Sequence, residues 1–293
     1  TVEAGSVVTV QLASGRVLTA SVKSDGTWSA NIPASDLPTS ETNNLQLTVK
    51  ATDPYGNTAT QTSLIDVDPL VRNFQAVSTV TNDNVVNRAE AQTGFAISGT
   101  VEPGATVAVT LENGAVRTVT ARGDGTWTAV FTTTDMPGGS GTMHYTAVAT
   151  DTAHNTATTS GSFTYDLVAP DAPVIGDVTN NGNGTRGLDA DVSEADHYVI
   201  ETVAADGTVT LLRDSAPTTT PGSDEYYAFN RVPDGQFLVV TDSDTAGNAV
   251  STLLVVSPNG SVTMDLNNSG LDRFDFGAID LHHSSVNLTI TAA

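Results

Sequence analysis

The stretch ATDPYGNTAT, residues 51–60, decides the fold because the chain repeats it. A second copy, ATDTAHNTAT, covers residues 149–158, and a looser copy, DSDTAGNA, covers residues 242–249. Each copy follows a β-rich run, places an asparagine four residues after an aspartate, and precedes another β-rich run. The sequence therefore predicts a series of β modules, each with a polar loop tip at the seam between neighbouring modules.

Further motifs recur with nearly the same spacing. TVEAG at residues 1–5 matches TVEPG at residues 100–104, and DGTW occurs at residues 25–28 and 124–127. Apolar residues alternate with polar ones in both copies, at Val8, Val10 and Leu12 and again at Val107, Val109 and Leu111. This period of two predicts strands with one buried face. A repeat of about 100 residues indicates tandem domains, each with its own core, rather than a solenoid of short units.

We divide the chain into four units. The first module covers residues 1–68, a complete second module covers 69–167, a divergent third module covers 168–256, and a partial β unit covers 257–293. The first module is expected to begin after its own first strand, which would leave an unpaired sheet edge. The tryptophans of the two DGTW motifs are predicted to fill sandwich cores. The predicted fold class is all-β, with tandem immunoglobulin-like β-sandwich modules in an elongated array.

The composition limits the possible partners. The 293-residue chain has 33 acidic and 11 basic side chains, a net charge of -22, and no cysteine. Nucleic acid and anionic membrane surfaces are therefore excluded as expected partners, because like charges repel and no basic patch is present. No apolar run is long enough to predict a membrane-spanning helix, and the first residues already have a β pattern, so no signal peptide is predicted. The charge balance favours cations.

Aspartate and asparagine side chains concentrate at the predicted module boundaries. The first junction offers oxygen ligands from the tip, the strand end and the start of the next module: Asp53, Asn57, Asp66, Asp68, Asp83, Asn84, Asn87 and Glu90. The second junction offers Asp151, Asn155, Asp166 and Asp171, and the third tip offers Asp242, Asp244 and Asn248. Ca²⁺ takes six to eight oxygen ligands of these kinds, so we expect Ca²⁺ sites at the joints. The simpler alternative is that these residues only form turns.

Enzyme function is not predicted. No pair of carboxylates is required by the sequence to face each other as in a glycosidase, and the histidines are scattered apart from the adjacent His282 and His283. A transition-metal site at those two histidines would need a third convergent ligand.

In order and spacing, the motifs resemble the bacterial immunoglobulin-like (BIg) repeats of giant, type I-secreted, biofilm-associated adhesins. The matching segments are ATDPYGN at 51–57, NDNVVNRAE at 82–90, SGTVEPG at 98–104, DGTW at 124–127 and the linker DLVAPDAP at 166–173. The tail FDFGAIDL at 274–281 is similar to the segment after the last extender repeat. The resemblance implies an extracellular rod at the bacterial surface, whose neighbouring modules are stiffened by Ca²⁺ and which supports adhesion and biofilm formation. We expect a monomer whose partners are the neighbouring modules of the same chain and a host or biofilm surface ligand. His154 in place of the motif glycine, and Pro69 and Leu70 in the linker, depart from the family pattern.

Two alternatives remain open at this stage. The divergent third module could bind a glycan or a host protein through Tyr226, Tyr227 and the loop from Asn180 to Gly184, because aromatic rings stack on sugars and loops at a sandwich end are common binding surfaces. The chain could also be an accessory β-sandwich of a polysaccharide-degrading enzyme, with the catalytic domain elsewhere.

Overall fold

The computed structural model describes residues 1–180, 185–191, 197–215, 224–230, 237–255, 260–265, 267–281 and 286–291. The fold is all-β, as predicted. Among the described residues the only α-helix is α1, Arg88–Thr93, which the capping box between Asn87 and Glu90 starts. No helix in these ranges is long and apolar enough to cross a membrane.

The second module is a two-layer sandwich. Its strands are β7 (Gln75–Ala76), β8 (Val85–Asn87), β9 (Phe95–Thr100), β10 (Thr106–Leu111), β11 (Val116–Thr120), β12 (Thr126–Phe131), β13 (Ser140–Thr150) and β14 (Thr156–Asp166). One sheet has the order β12-β9-β7 and the other the order β11-β10-β13-β14-β8. Most pairs are antiparallel, but β8 runs parallel to β14. Alternating residues of both sheets face one core, as the period of two predicted.

Trp127 lies at the centre of that core. Its side chain is 1% exposed, and its ring packs against Phe74, with the ring centroids 6.3 Å apart. The prediction that this tryptophan is a core residue is confirmed. Its counterpart Trp28 in the first module is only half-buried.

The first module has a smaller set of strands: β1 (Val7–Leu12), β2 (Val17–Thr19), β3 (Ser21–Val22), β4 (Trp28–Ser29), β5 (Thr42–Thr52) and β6 (Thr58–Val67). Its main sheet has the order β2-β1-β5-β6, and β3 pairs with β4. Within the described ranges no strand covers the outer side of β6, where β8 covers β14 in the second module. The predicted unpaired edge is therefore β6, and the shortened second layer leaves Trp28 partly exposed.

The third module contains β15 (Val174–Asn180), β16 (Thr185–Asp191), β17 (His197–Val203), β18 (Val209–Ser215), β19 (Asp224–Asn230), β20 (Phe237–Ser243) and β21 (Ala249–Val255). They are followed by β22 (Gly260–Asp265), β23 (Phe276–Asp280) and β24 (Val286–Thr291). The sheets have the orders β15-β16-β19 and β18-β17-β20-β21-β23, and β22 pairs with β24.

The strand β23 corrects the predicted boundary after residue 256. It runs parallel to β21 and takes the position in the sheet that β8 takes beside β14 in the second module. Phe274 and Phe276 pack against the core of the third module. Residues 276–280 therefore complete that module instead of starting a separate unit.

Candidate module joints

The three predicted loop tips share one hydrogen-bonding pattern. In each, the aspartate carboxylate accepts hydrogen bonds from both the backbone N and the side-chain Nδ2 of the asparagine four residues later. The two distances are 2.8 and 2.7 Å for Asp53, 2.8 and 2.8 Å for Asp151, and 2.9 and 2.9 Å for Asp244. The bond from Asn57 is also the main cause of the lowered pKa of Asp53. The spacing in the sequence therefore encodes a closed Asp–Asn tip.

The residue before each tip asparagine has left-handed backbone geometry. Its φ is +89° at Gly56 and +83° at Gly247, positions where glycine has no steric penalty. His154 takes the same geometry with φ of +69°. The departure from the family pattern therefore leaves the tip geometry intact.

The tips serve different joints from those predicted. A strand of ten residues separates Asn57 from Asp68, and at ~3.3 Å per residue this places them about 35 Å apart. The grouping of Asp53 and Asn57 with Asp66 and Asp68 at the first joint is therefore wrong. The same reason excludes the grouping of Asp151 with Asp166, which lie at opposite ends of β14. Each tip lies at the end of its own module where the chain enters that module.

The first joint is formed by the tip of the second module and the exit segment of the first. The side-chain Nδ2 of Asn155 donates to the backbone O of Asp68 at 2.8 Å while also bonding Asp151. Asp151 is 5% exposed. One amide group therefore holds together the tip carboxylate and the end of the preceding module.

The second joint repeats this arrangement. The side-chain Nδ2 of Asn248 donates to the backbone O of Asp166 at 3.0 Å, and its Oδ1 accepts from the backbone N of Arg88 at 2.8 Å. The side chain of Asn87 donates to the O of Ala246 at 3.1 Å. The tip of the third module is thus bonded both to the exit strand of the second module and to the start of α1.

Several of the predicted ligands have local structural roles. Asp83 accepts hydrogen bonds from Thr81 and from the N of Val85, and Asn84 accepts from the N of Val80. These residues, with Asn87 and Glu90, belong to the end of the second module where β8 meets the last residues of β14. Their predicted placement at the first joint is wrong, because β8 pairs with the exit end of β14.

Asp66, Asp171 and Asp242, which were also predicted as ligands, lie outside the Asp–Asn hydrogen-bonding pattern of the tips. The carboxylate of Asp66 accepts from the N of Asn44 at 2.8 Å, and Asp171 is exposed in the linker before β15. Asp242 is buried within β20, two residues before the hydrogen-bonded tip.

Three charged residues at the first joint were not predicted. Arg72 forms ion pairs with Glu41 of the first module and with Glu102 of the second. Its pKa is raised, mainly by the hydrogen bonds to Glu102. The sequence carries one signal for this cluster, an arginine within a linker of a chain that has few basic residues.

The oxygen atoms at the joints determine whether a cation could bind there. In the part of the chain that the structure describes, no three His, Asp or Glu side chains converge closely enough to bind a metal together. Ca²⁺ also accepts backbone carbonyl and amide oxygens, and at the first joint the side-chain amide of Asn155 brings together the backbone O of Asp68 and the carboxylate of Asp151. Among the described residues, the Oδ1 of Asp68 is buried without a hydrogen-bond partner, and a cation would satisfy it. A cation at this joint would therefore have to be held by carboxylate and backbone oxygens together, since the described residues form no carboxylate cage.

Other candidate positions fall outside what the structure describes. Residues 181–184 and His282 and His283 lie outside the described residues, and for Tyr226 and Tyr227 only the backbone of β19 is described.

No model of a known protein family matches the sequence, and no curated protein matches it. Among solved structures, the chain is similar to part of a 1.5-MDa bacterial ice-binding adhesin, with 22% identity and a TM-score of 0.42, over 86% of this chain and 85% of that chain. It is also similar to a tetra-tandem repeat in the extending region of a large adhesion protein, with 21% identity and a TM-score of 0.27, over 88% and 68% of the two chains. The FN1–FN3 domains of chicken CNTN1 match with 12% identity and a TM-score of 0.38, over 86% and 89%. None of these likenesses is high enough to assign a function, which rests on the joint contacts of this chain itself.

Proposed function

We propose that this chain is a structural extender section of a secreted bacterial surface adhesin, in which each module is fixed to the next at a defined joint. The observation that carries the proposal is the repetition of one joint. Asn155 bonds the exit carbonyl of Asp68, and Asn248 bonds the exit carbonyl of Asp166. A spacer that transmits force and orientation needs equivalent joints, whereas a single binding domain does not. The adhesin class follows from the resemblance of the repeat motifs to BIg modules.

We further propose that Ca²⁺ stiffens these joints. Asp68 and Asp151 would hold it at the first joint, and Asp166 and Asp244 at the second. When bound, Ca²⁺ would supply positive charge between carboxylates that otherwise repel one another. A chain with a net charge of -22 gains from such neutralisation wherever acidic modules meet.

The test measures joint rigidity in Ca²⁺ and in EDTA. Because the chain has no cysteine, pairs of cysteines can be introduced on neighbouring modules, spin-labelled and measured by double electron–electron resonance, with small-angle scattering on the same samples. We expect narrow distance distributions in Ca²⁺ across both joints and a higher melting temperature than in EDTA.

A matched pair of variants makes this test specific. Asp151→Asn alters a tip at a joint, whereas Asp53→Asn alters the same chemistry at a tip that makes no intermodule bond among the described residues. We expect only the first variant to reduce the response of the first joint to Ca²⁺. Broad distributions across both joints in both buffers would refute the extender function, and narrow distributions that are identical in both buffers and in both variants would refute the Ca²⁺ sites alone.

A further inference from the structure

Arg72 is placed to act as a positive charge at the first joint. It lies in the linker, between Glu41 of the first module and Glu102 of the second, and forms an ion pair with each. Asp68 adds further negative potential around the same guanidinium. Its backbone O is the one that accepts the hydrogen bond from Asn155. One cation therefore faces acidic groups from both sides of the joint.

The linker is held firmly to the second module at this residue. The backbone N of Arg72 donates to Oε1 of Glu102 at 2.9 Å, and the N of Glu102 donates to the backbone O of Arg72 at 3.1 Å. The guanidinium adds bonds from Nη2 and Nε to Oε2 of Glu102 at 2.6 and 3.2 Å. The Glu102 side chain is 9% exposed, so this attachment is partly shielded from solvent and from salt screening.

The remaining contact of the guanidinium crosses the joint. Its Nη1 bonds the carboxylate of Glu41, just before β5 in the first module. Because Arg72 is already fixed on Glu102, little side-chain entropy is lost when it also engages Glu41, and the planar guanidinium can bridge two carboxylates.

The second joint has a weaker equivalent. Arg88 of the second module lies 3.2 Å from the carboxylate of Asp275 of the third, and the two side chains are 45% and 59% exposed. Exposed single ion pairs of this kind contribute little. The pair of Arg72 and Glu41 is less exposed, at 40% and 33%, and Arg72 is also anchored on Glu102. The two joints should therefore differ in how far they depend on an added cation.

We propose that Arg72 acts as a built-in cation of the first joint, holding it closed when divalent cations are removed. This inference rests on the proposed extender function, since it assumes that the joint has a defined closed state. Arg72 neutralises Glu41 and Glu102 on the two sides of the joint, which Ca²⁺ alone would otherwise have to do.

The test places spin labels at exposed positions of the full chain, Thr62 in the first module and Thr118 in the second, and compares Ca²⁺ with EDTA. We expect the wild-type first joint to stay mostly closed in EDTA, with a small open population that Ca²⁺ removes. Arg72→Gln should raise the open population in EDTA by about two- to fivefold, the range expected for a partly exposed ion pair. High salt should produce part of the same effect in the wild type.

Two further variants control the experiment. Glu41→Gln removes only the contact that crosses the joint, so it should open the joint even if Arg72→Gln disturbs folding around Glu102. Arg117→Gln removes an arginine of the same exposure, paired with Asp135 inside the second module, and should leave the distribution unchanged.

The outcomes separate this inference from the function on which it rests. A wild-type joint that opens fully in EDTA, or an Arg72→Gln joint that stays closed there, overturns the role of Arg72 while the extender function stands. A joint that is broad in Ca²⁺ as well as in EDTA overturns both.

Discussion

Replacement of Asn155 by alanine should weaken the second module and its joint together. The side-chain amide of Asn155 donates to the backbone O of Asp68 and to the carboxylate of Asp151. The intermodule bond should contribute about 1 kcal/mol, and loss of a charge-assisted bond to the buried Asp151 should cost about 1.5–3 kcal/mol. The variant should therefore lose about 2.5–4 kcal/mol in total. The intermodule share of about 1 kcal/mol corresponds to roughly a fivefold change in the closed population of the joint.

The matched control is Asn57→Ala. Asn57 makes the same bond within its tip, to Asp53 at 2.7 Å, but it is exposed and bonds no neighbouring module in the described residues. Its replacement should cost less and should leave the first joint unchanged. The difference between the stability losses of the two variants gives the free energy that the tip of the second module gains from burial and from the joint.

The assay is equilibrium denaturation followed by tryptophan fluorescence. With Trp28 replaced by phenylalanine, Trp127 reports on the second module alone, because the chain has no other tryptophan. Spin-label distances across the first joint are measured on the same variants. If Asn155→Ala and Asn57→Ala lose the same stability and the joint distance does not change, the asparagine bridge does not hold the joint.

Four other predictions follow from individual residues. Trp127→Ala should lower the free energy of unfolding by about 3–5 kcal/mol, because removal of a fully buried ring leaves a cavity. Trp28→Ala should lower it clearly less, and denaturation curves of both variants measure the difference. Equal losses would contradict the difference in burial between the two rings. His154→Gly should stabilise the second module by up to about 1 kcal/mol by relieving a left-handed φ, and a lower melting temperature would contradict this. Gly277→Val should lower the transition temperature of the third module alone in calorimetry, since an added Cβ would lie 2.7 Å from a valine methyl group. An unchanged transition temperature would show that β23 is not part of the sheet of the third module. Hydrogen bonds from the threonine two residues later hold the pKa of Asp124 below its usual 3.8. The stability that this turn adds is therefore complete above pH 3.8 and is lost as the pH falls through the lowered pKa. A pKa at or above 3.8 in an NMR titration of Asp124 would contradict this prediction.

The local structure of the tips follows directly from the sequence. An aspartate and an asparagine four residues apart, with a turn between them, are sufficient to predict the closed hydrogen-bonded tip seen at Asp53 and Asp151. Period-two alternation likewise predicts the buried faces of β1 and β10. These features depend on residues close together in the chain.

The assignment of tips to joints needed the direction of whole strands. The long alternating run of β6 places Asp68 at the far end of the module from Asn57, and a count of its residues could have shown this from the sequence. The contacts of Arg72 with Glu41 and Glu102 were not predictable in the same way. They depend on the path of the linker between two modules, which has no periodic pattern.

The parallel pairing of β8 with β14 has a mechanical consequence. β8 lies near the start of the second module and β14 ends it, and their register runs from Val85 beside Thr164 to Asn87 beside Asp166. When the ends of the chain are pulled apart, the two strands are drawn in opposite directions along their length. The hydrogen bonds between them are then loaded in shear and must break together, unlike a hairpin that is peeled open one bond at a time. The second module is therefore built to bear tension along the chain.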